Sequence, residues 1–434
     1  MERDGLNVLG SISILYAISE LLSEEINHIK GSALSLKIFV GIALAAVIRK
    51  VLIISLSPEK VQELITLSLV ILALGVVFWL IHRVEIKALK YNFYMKTTPL
   101  HSLHIQLKAK FTEFAGYQMP LQYSSIVEEV KAVRSSAGLF DISHMGRLWI
   151  RGKYAKQKLD FLTTNSLDKL KYGKVQYNLL VNERGGVKDD ITVYMMGEEE
   201  YFLCVNSINR GKVLNWLTSW GLTVEDWTFQ SVQIALQGKS TEEKLKKYFD
   251  VSGLKRYNFF TVGNVIISRT GYTGEDGFEI YAPIKEGIEI FEALSKEAQT
   301  CGLGARDVLR IEAGMPLYGH ELSEDISPLM ASLDRFVSKE KNFLGKDEMF
   351  SKEPQRKLFG LELQEKGVPR EGYRIEMNRK EIGVVSSGTF SPTLKKGIAL
   401  CFVDKDYLQE GTEVELIIRE KPVRAVLRRY PFIR

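Results

Sequence analysis

Hydrophobic positions follow a different pattern in the first ninety residues than in the rest of the chain. The run from Leu64 to Ile81 (LITLSLVILALGVVFWLI) contains no charged residue, and its length approaches the thickness of a bilayer core. Arg83, Lys87 and Lys90 follow it. Cations at one end of an apolar run usually stay in the cytoplasm. This pattern predicts a membrane helix with the following residues on the cytoplasmic side.

Two weaker apolar stretches precede this run. Residues 38–56 are interrupted by Arg49 and Lys50, and residues 6–22 contain Glu20 among other polar residues. Three repeated apolar stretches fit a cleaved signal peptide poorly. They predict an all-α membrane segment over residues 1–94, and a buried bundle of soluble helices is the alternative.

From Met95 onward, short strand patterns alternate with helical ones. Apolar residues recur with a period of two over residues 191–195 and 232–236, which is typical of strands. This mixture predicts an α+β fold with largely antiparallel sheets over residues 95–354. After residue 355, short strand patterns separated by glycines predict a small β-barrel domain, residues 355–434.

Two helices of the α+β part have predicted ends. Apolar residues 290–301 have helical spacing, and Gly302 is a suitable stop. Ser240 and Glu243 have the spacing of a capping box, which predicts a helix through Tyr248.

Composition and charge exclude several classes of protein. The formal net charge of +5 over 434 residues, without a basic arm, argues against nucleic-acid binding. The three cysteines stand far apart and form no CxxC pair. We therefore expect neither a disulfide framework nor a metal site.

The residues with chemical potential fall in five ordered blocks. In chain order the blocks are FDISHMG (140–146), NERGGVKDD (182–190), RTGYTGEDGFE (269–279), GLGARDVLRIEAG (302–314) and SGTFSPTL (387–394).

The second block places two carboxylates at the start of a strand. Gly185 and Gly186 predict a tight turn that leads into Asp189 and Asp190. Neighbours on a strand face opposite sides, so we expect only one of the two to face a given cavity, leaving the other free to cap a turn.

The third and fourth blocks indicate an anionic, hydrogen-bonding ligand. Glycines bracket Tyr272 and Glu279 in a loop that allows close backbone approach, but the spacing is not that of a phosphate-binding loop. Arg306 and Arg310 are four residues apart and share one helix face. His144 in the first block is assigned no catalytic role, since a single histidine is more often packed and hydrogen-bonded.

These blocks, together with Thr98-Pro99-Leu100 and the stretch 114–120 (FAGYQMP), resemble the T protein of the glycine cleavage system over nearly all of residues 95–434. The resemblance implies three domains around a folate-binding cavity, the last of them the β-barrel. It also implies an aminomethyltransferase. Such an enzyme moves a one-carbon unit from the aminomethyl-dihydrolipoyl arm of H protein to tetrahydrofolate, releases ammonia and forms 5,10-methylenetetrahydrofolate.

The resemblance also assigns roles to residues, position by position. Asp190 matches the catalytic aspartate, and Glu279 matches the carboxylate that binds the amide edge of the pterin. Further matches line the folate site: Tyr272, Arg306, Asn206, Tyr177 and, as an apolar wall, Met145.

Three other functions remain open at this point. A folate-dependent demethylase would have the same folate site. A non-enzymatic folate-binding protein of iron–sulfur assembly shares the fold but typically carries a KGCYxGQE-like block, which this chain lacks. A membrane-tethered sensor would not need an intact Asp190 and Glu279.

Residues 1–94 resemble the PsiE family of small membrane proteins, through ALAAVIRKVLIISL and ITLSLVILALGVVFWL. Met95 stands where a free-standing T protein would begin, and no flexible linker precedes it. This arrangement predicts a fusion protein whose cytoplasmic catalytic part is tethered to the inner membrane by the preceding helices, and a reading-frame artefact is the alternative.

Overall fold

The computed structural model describes residues 36–54, 61–351 and 353–433. The chain forms two compact units, Met1–Met95 and Lys96–Arg434, each of which is described by itself.

In the first unit, two helices that pack against each other are described, α1 (Leu36–Ile54) and α2 (Val61–Tyr94). Large apolar side chains of α2 are exposed, for example Leu69 and Leu72. None of the helices in the described residues is sufficiently long and apolar to span a bilayer, which does not support the membrane helix predicted for residues 64–81. The predicted apolar stretch 6–22, including Glu20, lies outside the described residues.

The second unit is α+β, and its first sheet has five antiparallel strands in the order β5-β6-β7-β4-β8. Helices α5 (Ala155–Leu162) and α6 (Arg210–Ser219) bury apolar side chains against one face of this sheet. The strands are β4 (Gly146–Arg151), β5 (Val175–Val181), β6 (Val187–Gly197), β7 (Glu200–Val205) and β8 (Thr223–Asp226).

The second sheet has six strands in the order β10-β11-β12-β9-β3-β13, with β13 parallel to β3 and the other pairs antiparallel. Helix α8 (Ile284–Leu294) packs on it through Phe291 and Leu294. The strands are β3 (Gly138–Asp141), β9 (Ser231–Gln237), β10 (Phe259–Val262), β11 (Val265–Ser268), β12 (Gly277–Pro283) and β13 (Gln299–Cys301).

Smaller elements complete this unit around the two sheets. A hairpin lies near the beginning of the unit, and short helices flank the sheets. These elements are β1 (Lys110–Phe114), β2 (Tyr117–Gln122), α3 (His101–Gln106), α4 (Ile126–Ser135), α7 (Thr241–Leu245), α9 (Leu303–Glu312) and α10 (Lys346–Ser351).

Both predicted helix ends were wrong. Helix α8 ends at Leu294, and Cys301 belongs to β13, because pairing with β3 at the sheet edge overrides the helical spacing. Gly302 is the N-cap of α9 instead of a stop. Helix α7 ends at Leu245, and the Ser240 side chain makes no capping hydrogen bond.

The last six strands close into a barrel, as the sequence predicted. Their order is β14-β17-β16-β15-β18-β19, and the interior is apolar. The strands are β14 (Arg356–Leu363), β15 (Arg374–Met377), β16 (Lys380–Ser391), β17 (Lys396–Asp404), β18 (Glu413–Ile418) and β19 (Lys421–Arg428).

The two sheets of the α+β part face each other across a layer of polar side chains. The Tyr194 hydroxyl of β6 lies 3.1 Å from Ser268 Oγ of β11 and 2.8 Å from the Tyr281 hydroxyl of β12. Apolar residues from both sheets surround these groups. Residues on the inner faces of β6 and β12 therefore approach one another.

Candidate active site

A turn closed by its own side chain delivers the paired carboxylates. Asn182 Oδ1 accepts hydrogen bonds from the backbone N–H groups of Arg184, at 3.0 Å, and Gly186, at 2.9 Å. Gly185 has φ +77°, in the left-handed region that favours glycine. Asn182 thus closes this turn, and neither aspartate takes part in closing it.

Strand alternation places Asp189 and Asp190 on different faces of β6. Ile191 and Val193 pack against the helices on the outer face of the sheet. Asp189 lies two residues before Ile191 and therefore points to the same face. Tyr194 packs between the two sheets. Asp190 lies four residues before it and therefore points to the same inner face. Asp189 is fully buried, whereas Asp190 is partly exposed.

Two side chains hold the Asp190 carboxylate. The Tyr177 hydroxyl of β5 donates to Oδ2 at 3.1 Å, and Asn206 Nδ2 donates to Oδ1 at 2.6 Å. Burial raises the pKa of Asp190 to about 6, although both hydrogen bonds favour the charged form. A carboxylate with a pKa near neutrality is suited to accept or position a proton.

Tyr272 and Arg306 form the second part of the site. The Arg306 guanidinium lies over the Tyr272 ring, 4.8 Å from its centroid, and the Tyr272 hydroxyl donates to the carbonyl of Pro316. Arg306 Nη1 is buried and has no hydrogen-bond partner. Burial lowers the pKa of Arg306, and the negative charge of Glu279 opposes this effect. Burial raises the pKa of Tyr272, and the nearby negative charge of Asp190 raises it further, so the two parts of the site adjoin.

Glu279 of β12 is largely buried beside this pair. Its Oε2 accepts from Thr270 Oγ1 at 2.6 Å and from the Tyr281 hydroxyl at 3.5 Å. Among the described residues, its Oε1 makes no hydrogen bond. A carboxylate oxygen without a donor in a largely buried side chain favours a ligand that brings an N–H group.

The loop before β4 contributes an apolar wall. Met145 packs against both the cluster around Phe140 and the aromatic layer between the sheets. The neighbouring His144 is buried, with its ring 5.4 Å from that of Phe114. Burial lowers the pKa of His144 to about 3, so the ring is neutral near pH 7. With so low a pKa the ring is a weak proton acceptor, which gives no support to a role as a general base.

Arg310 was predicted to share a ligand-facing surface with Arg306. Its guanidinium instead makes buried contacts within the protein. Its Nη1 donates to Glu321 Oε2 at 2.9 Å, and its Nη2 donates to Ser387 Oγ of the barrel at 2.8 Å. Ser386 donates to the other Glu321 oxygen at 2.6 Å. The sequence did not single out Glu321, because it lies in an irregular segment where no periodicity indicates burial.

Two further contacts escaped the sequence analysis. Asn209 holds the Asp189 carboxylate, and Thr270 holds that of Glu279. Thr270 lies within the third block, but nothing in the sequence marked it as a partner of Glu279. Asn209 lies outside all five blocks and gave no sequence signal.

Within the ranges that the structure covers, no group of histidine, cysteine and carboxylate side chains is arranged to hold a metal ion. The site therefore consists of two carboxylates, an unpartnered guanidinium and phenolic hydroxyls.

Two adjoining family models match the second unit. Residues 100–341 match the GCVT N-terminal domain, and residues 356–433 match the glycine cleavage T-protein C-terminal barrel domain. The chain belongs to the glycine cleavage T-protein family. The resemblance on which the sequence analysis relied is confirmed.

The chain matches relatives in this family over almost the whole length of each relative. The aminomethyltransferase of Aquifex aeolicus is 60% identical over 342 residues, 79% of this chain and 97% of the relative. That of Thermoanaerobacter sp. strain X514 is 42% identical, covering 77% and 96%. The crystal structure of glycine cleavage system aminomethyltransferase T from Bartonella henselae superimposes with a TM-score of 0.75 at 33% identity, covering 78% of this chain and 98% of that one.

The first unit matches a different family. Residues 1–85 match the model of the Phosphate-starvation-inducible E family. This match agrees with the PsiE resemblance read from the sequence.

Proposed function

We propose that this chain is the aminomethyltransferase of a glycine cleavage system. It takes the one-carbon unit from aminomethyl-dihydrolipoyl H protein and passes it to tetrahydrofolate, giving 5,10-methylenetetrahydrofolate and ammonia. The observation that carries the proposal is the Asp190 carboxylate held by Tyr177 and Asn206. Tyr272, which is near both Asp190 and Arg306, connects it to a guanidinium whose Nη1 has no hydrogen-bond partner among the described residues. Family membership at 60% identity to an aminomethyltransferase supports the reaction.

The reaction breaks the C–S and C–N bonds of the aminomethyl thioether and forms two C–N bonds to the folate. The two N–H protons of the folate end on the lipoyl thiol and on ammonia. As folate nitrogen attacks, positive charge develops on it. The ionised Asp190 is suited to orient that nitrogen and to stabilise the charge.

The chemistry of the site fits a reduced folate. Glu279 Oε1 is free to accept from the N–H edge of a pterin, and Arg306 Nη1 is free to donate to a ligand oxygen. Tyr272 and Met145 provide flat and apolar surface for a ring. Tetrahydrofolate is thus assigned as co-substrate, bound by Glu279, Tyr272, Arg306, Asn206, Tyr177 and Met145.

An assay of the full chain tests the proposal. Aminomethyl-loaded, lipoylated H protein and tetrahydrofolate are mixed with the protein, and ammonia release is followed. Release should require both substrates. A protein that releases no ammonia with H protein, yet forms methylenetetrahydrofolate from a small methylated amine, would be a demethylase instead.

We also propose that the catalytic part is cytoplasmic and that residues 1–94 associate with the membrane. The uncharged run 64–81, the exposed apolar side chains of α2 and the match to the Phosphate-starvation-inducible E family support this. Cell fractionation decides it. The full chain should sediment with membranes, and a chain beginning at Met95 should remain in the supernatant. Recovery of the full chain in the supernatant without detergent would refute membrane association.

A further inference from the structure

Asp189, which faces away from the inner layer, accepts hydrogen bonds from three N–H groups of two residues, Asn206 and Asn209. Its Oδ2 accepts from the Asn206 backbone N–H at 3.0 Å, and its Oδ1 accepts from Asn206 Nδ2 at 2.9 Å and Asn209 Nδ2 at 2.7 Å. All three partners are N–H groups, so both oxygens act as acceptors. Burial and the charge of Asp190 raise the pKa of Asp189, and these donors favour its charged form.

Asn206 connects the two carboxylates. The same Nδ2 that donates to Asp189 also lies 2.6 Å from Asp190 Oδ1. Asp189 accepts from both the backbone nitrogen and the side-chain nitrogen of Asn206, and the Asp190 backbone carbonyl also accepts from Asn206 Nδ2 at 3.1 Å. Together these acceptors fix which way the amide points. With the amide turned over, its carbonyl oxygen would face Asp190 Oδ1, and two acceptors would repel each other.

We propose that Asp189 is a positioning residue for Asp190, acting through the orientation of the Asn206 amide. The inference rests on the proposed function, in which Asp190 touches the reacting folate nitrogen. Asp189 itself lies on the other face of β6 and contacts no substrate. Its two oxygens, which accept from the backbone and side-chain nitrogens of Asn206, keep Asn206 Nδ2 directed at the catalytic carboxylate.

Replacing Asp189 by Asn tests this directly. The substituted amide can accept at one atom only, so its NH2 group meets an N–H donor of Asn206 or Asn209. Turning the Asn206 amide relieves that clash and sets an acceptor against Asp190. We expect Asp189→Asn to lower kcat about tenfold or more, while the Kd for tetrahydrofolate stays within about twofold.

A matched control separates positioning from general loss of stability. Thr241, the first residue of α7, is buried, and its hydroxyl donates to the Gly238 carbonyl at 2.9 Å. Thr241→Val removes a buried hydrogen bond without touching the aspartates. It should lower the midpoint of thermal unfolding and leave kcat within about twofold of wild type.

The variants are measured in the full chain, with kcat from ammonia release and folate Kd from calorimetry. A wild-type kcat in Asp189→Asn, or a kcat loss matched by an equal loss of folate affinity, overturns the inference. If Asp189→Asn does not fold, Asn206→Ala decides, because loss of the same amide should lower kcat as well; wild-type turnover there refutes the idea. When both variants fold, their double variant should be no slower than the slower single variant.

Failure of the proposed function is recognised separately. Asp190→Asn is measured beside the other variants. Full turnover in Asp190→Asn contradicts the catalytic assignment itself. Slow turnover in Asp190→Asn together with normal turnover in Asp189→Asn contradicts only the positioning role.

Discussion

Two neighbouring aspartates show how the environment separates identical residue types. Asp189 is enclosed by N–H donors, and Asp190 keeps part of its carboxylate accessible between the sheets. Burial raises the pKa of both carboxyl groups, that of Asp190 to about 6, and the N–H donors around Asp189 oppose the rise there. The accessible member of the pair is the group that a substrate can reach.

The first prediction concerns the charge of Asp190. Its pKa is raised to about 6, so the reactive carboxylate is present above that pH and is lost as pH falls through it. We expect kcat to fall on the acid side with a midpoint near 6. Asp190→Asn should be slower by about 10²–10⁴-fold and should lack this acid limb. A pH profile of ammonia release with both proteins checks this, and an unchanged acid limb in the variant would assign it to another group.

The second prediction concerns Glu279. Its Oε1 makes no hydrogen bond among the described residues, and it is assigned to the N–H edge of the pterin. Glu279→Ala should weaken tetrahydrofolate binding by about 1–3 kcal/mol, the range for a hydrogen bond to a charged group. Calorimetry measures the affinity. Glu275→Ala in the same loop is the control, because that carboxylate pairs with Arg134 and not with a ligand. An equal loss of tetrahydrofolate affinity in the two variants would contradict a specific role of Glu279 in binding the pterin.

At the scale of elements, periodicity predicted strands well and helix ends poorly. Alternation over residues 191–195 and 232–236 falls within β6 and β9, because each strand has one face against a core. The helical spacing up to Cys301 was misleading, since pairing with β3 is a contact between distant parts of the chain that local spacing does not contain. Likewise, the blocks pointed to Asp190 and Glu279, whereas the buried Glu321 gave no local signal.

The third prediction tests the turn that sets the start of β6. A Cβ on Gly186 would lie 1.8 Å from the Glu324 carbonyl oxygen, so the backbone must shift. Gly186→Ala should destabilise the fold by about 1–3 kcal/mol and lower turnover by displacing the aspartates. Gly211→Ala is the matched control, because its Cβ would meet no atom within 4 Å and helix propensity favours alanine. Urea unfolding and turnover are measured for both, and equal stability would contradict the close approach of Gly186 to the Glu324 carbonyl.

At the scale of the whole second unit, charged side chains join the α+β part to the barrel. Arg310 of α9 reaches Ser387, and Ser391 of β16 donates to Glu312 of α9 at 2.5 Å. Arg310 follows Arg306 by one helical turn. The same helix thus supplies both a site residue, Arg306, and the residues that attach the barrel, Arg310 and Glu312.

The last prediction follows from the buried pair Arg310–Glu321, whose side chains are 2% and 0% exposed. Removing one partner leaves an unpaired buried charge, so Arg310→Met should destabilise the second unit by about 3–5 kcal/mol. Arg310→Met combined with Glu321→Gln removes both charges and should recover part of that loss. Arg184, in an exposed ion pair with Asp325, is the control, and Arg184→Met should change stability by less than about 1 kcal/mol. Denaturant unfolding of the wild type, Arg310→Met, Glu321→Gln, the double variant and Arg184→Met measures the differences. A double variant as unstable as the sum of its single variants would mean that the two charges act independently, and the barrel would then depend on its apolar contacts with α9.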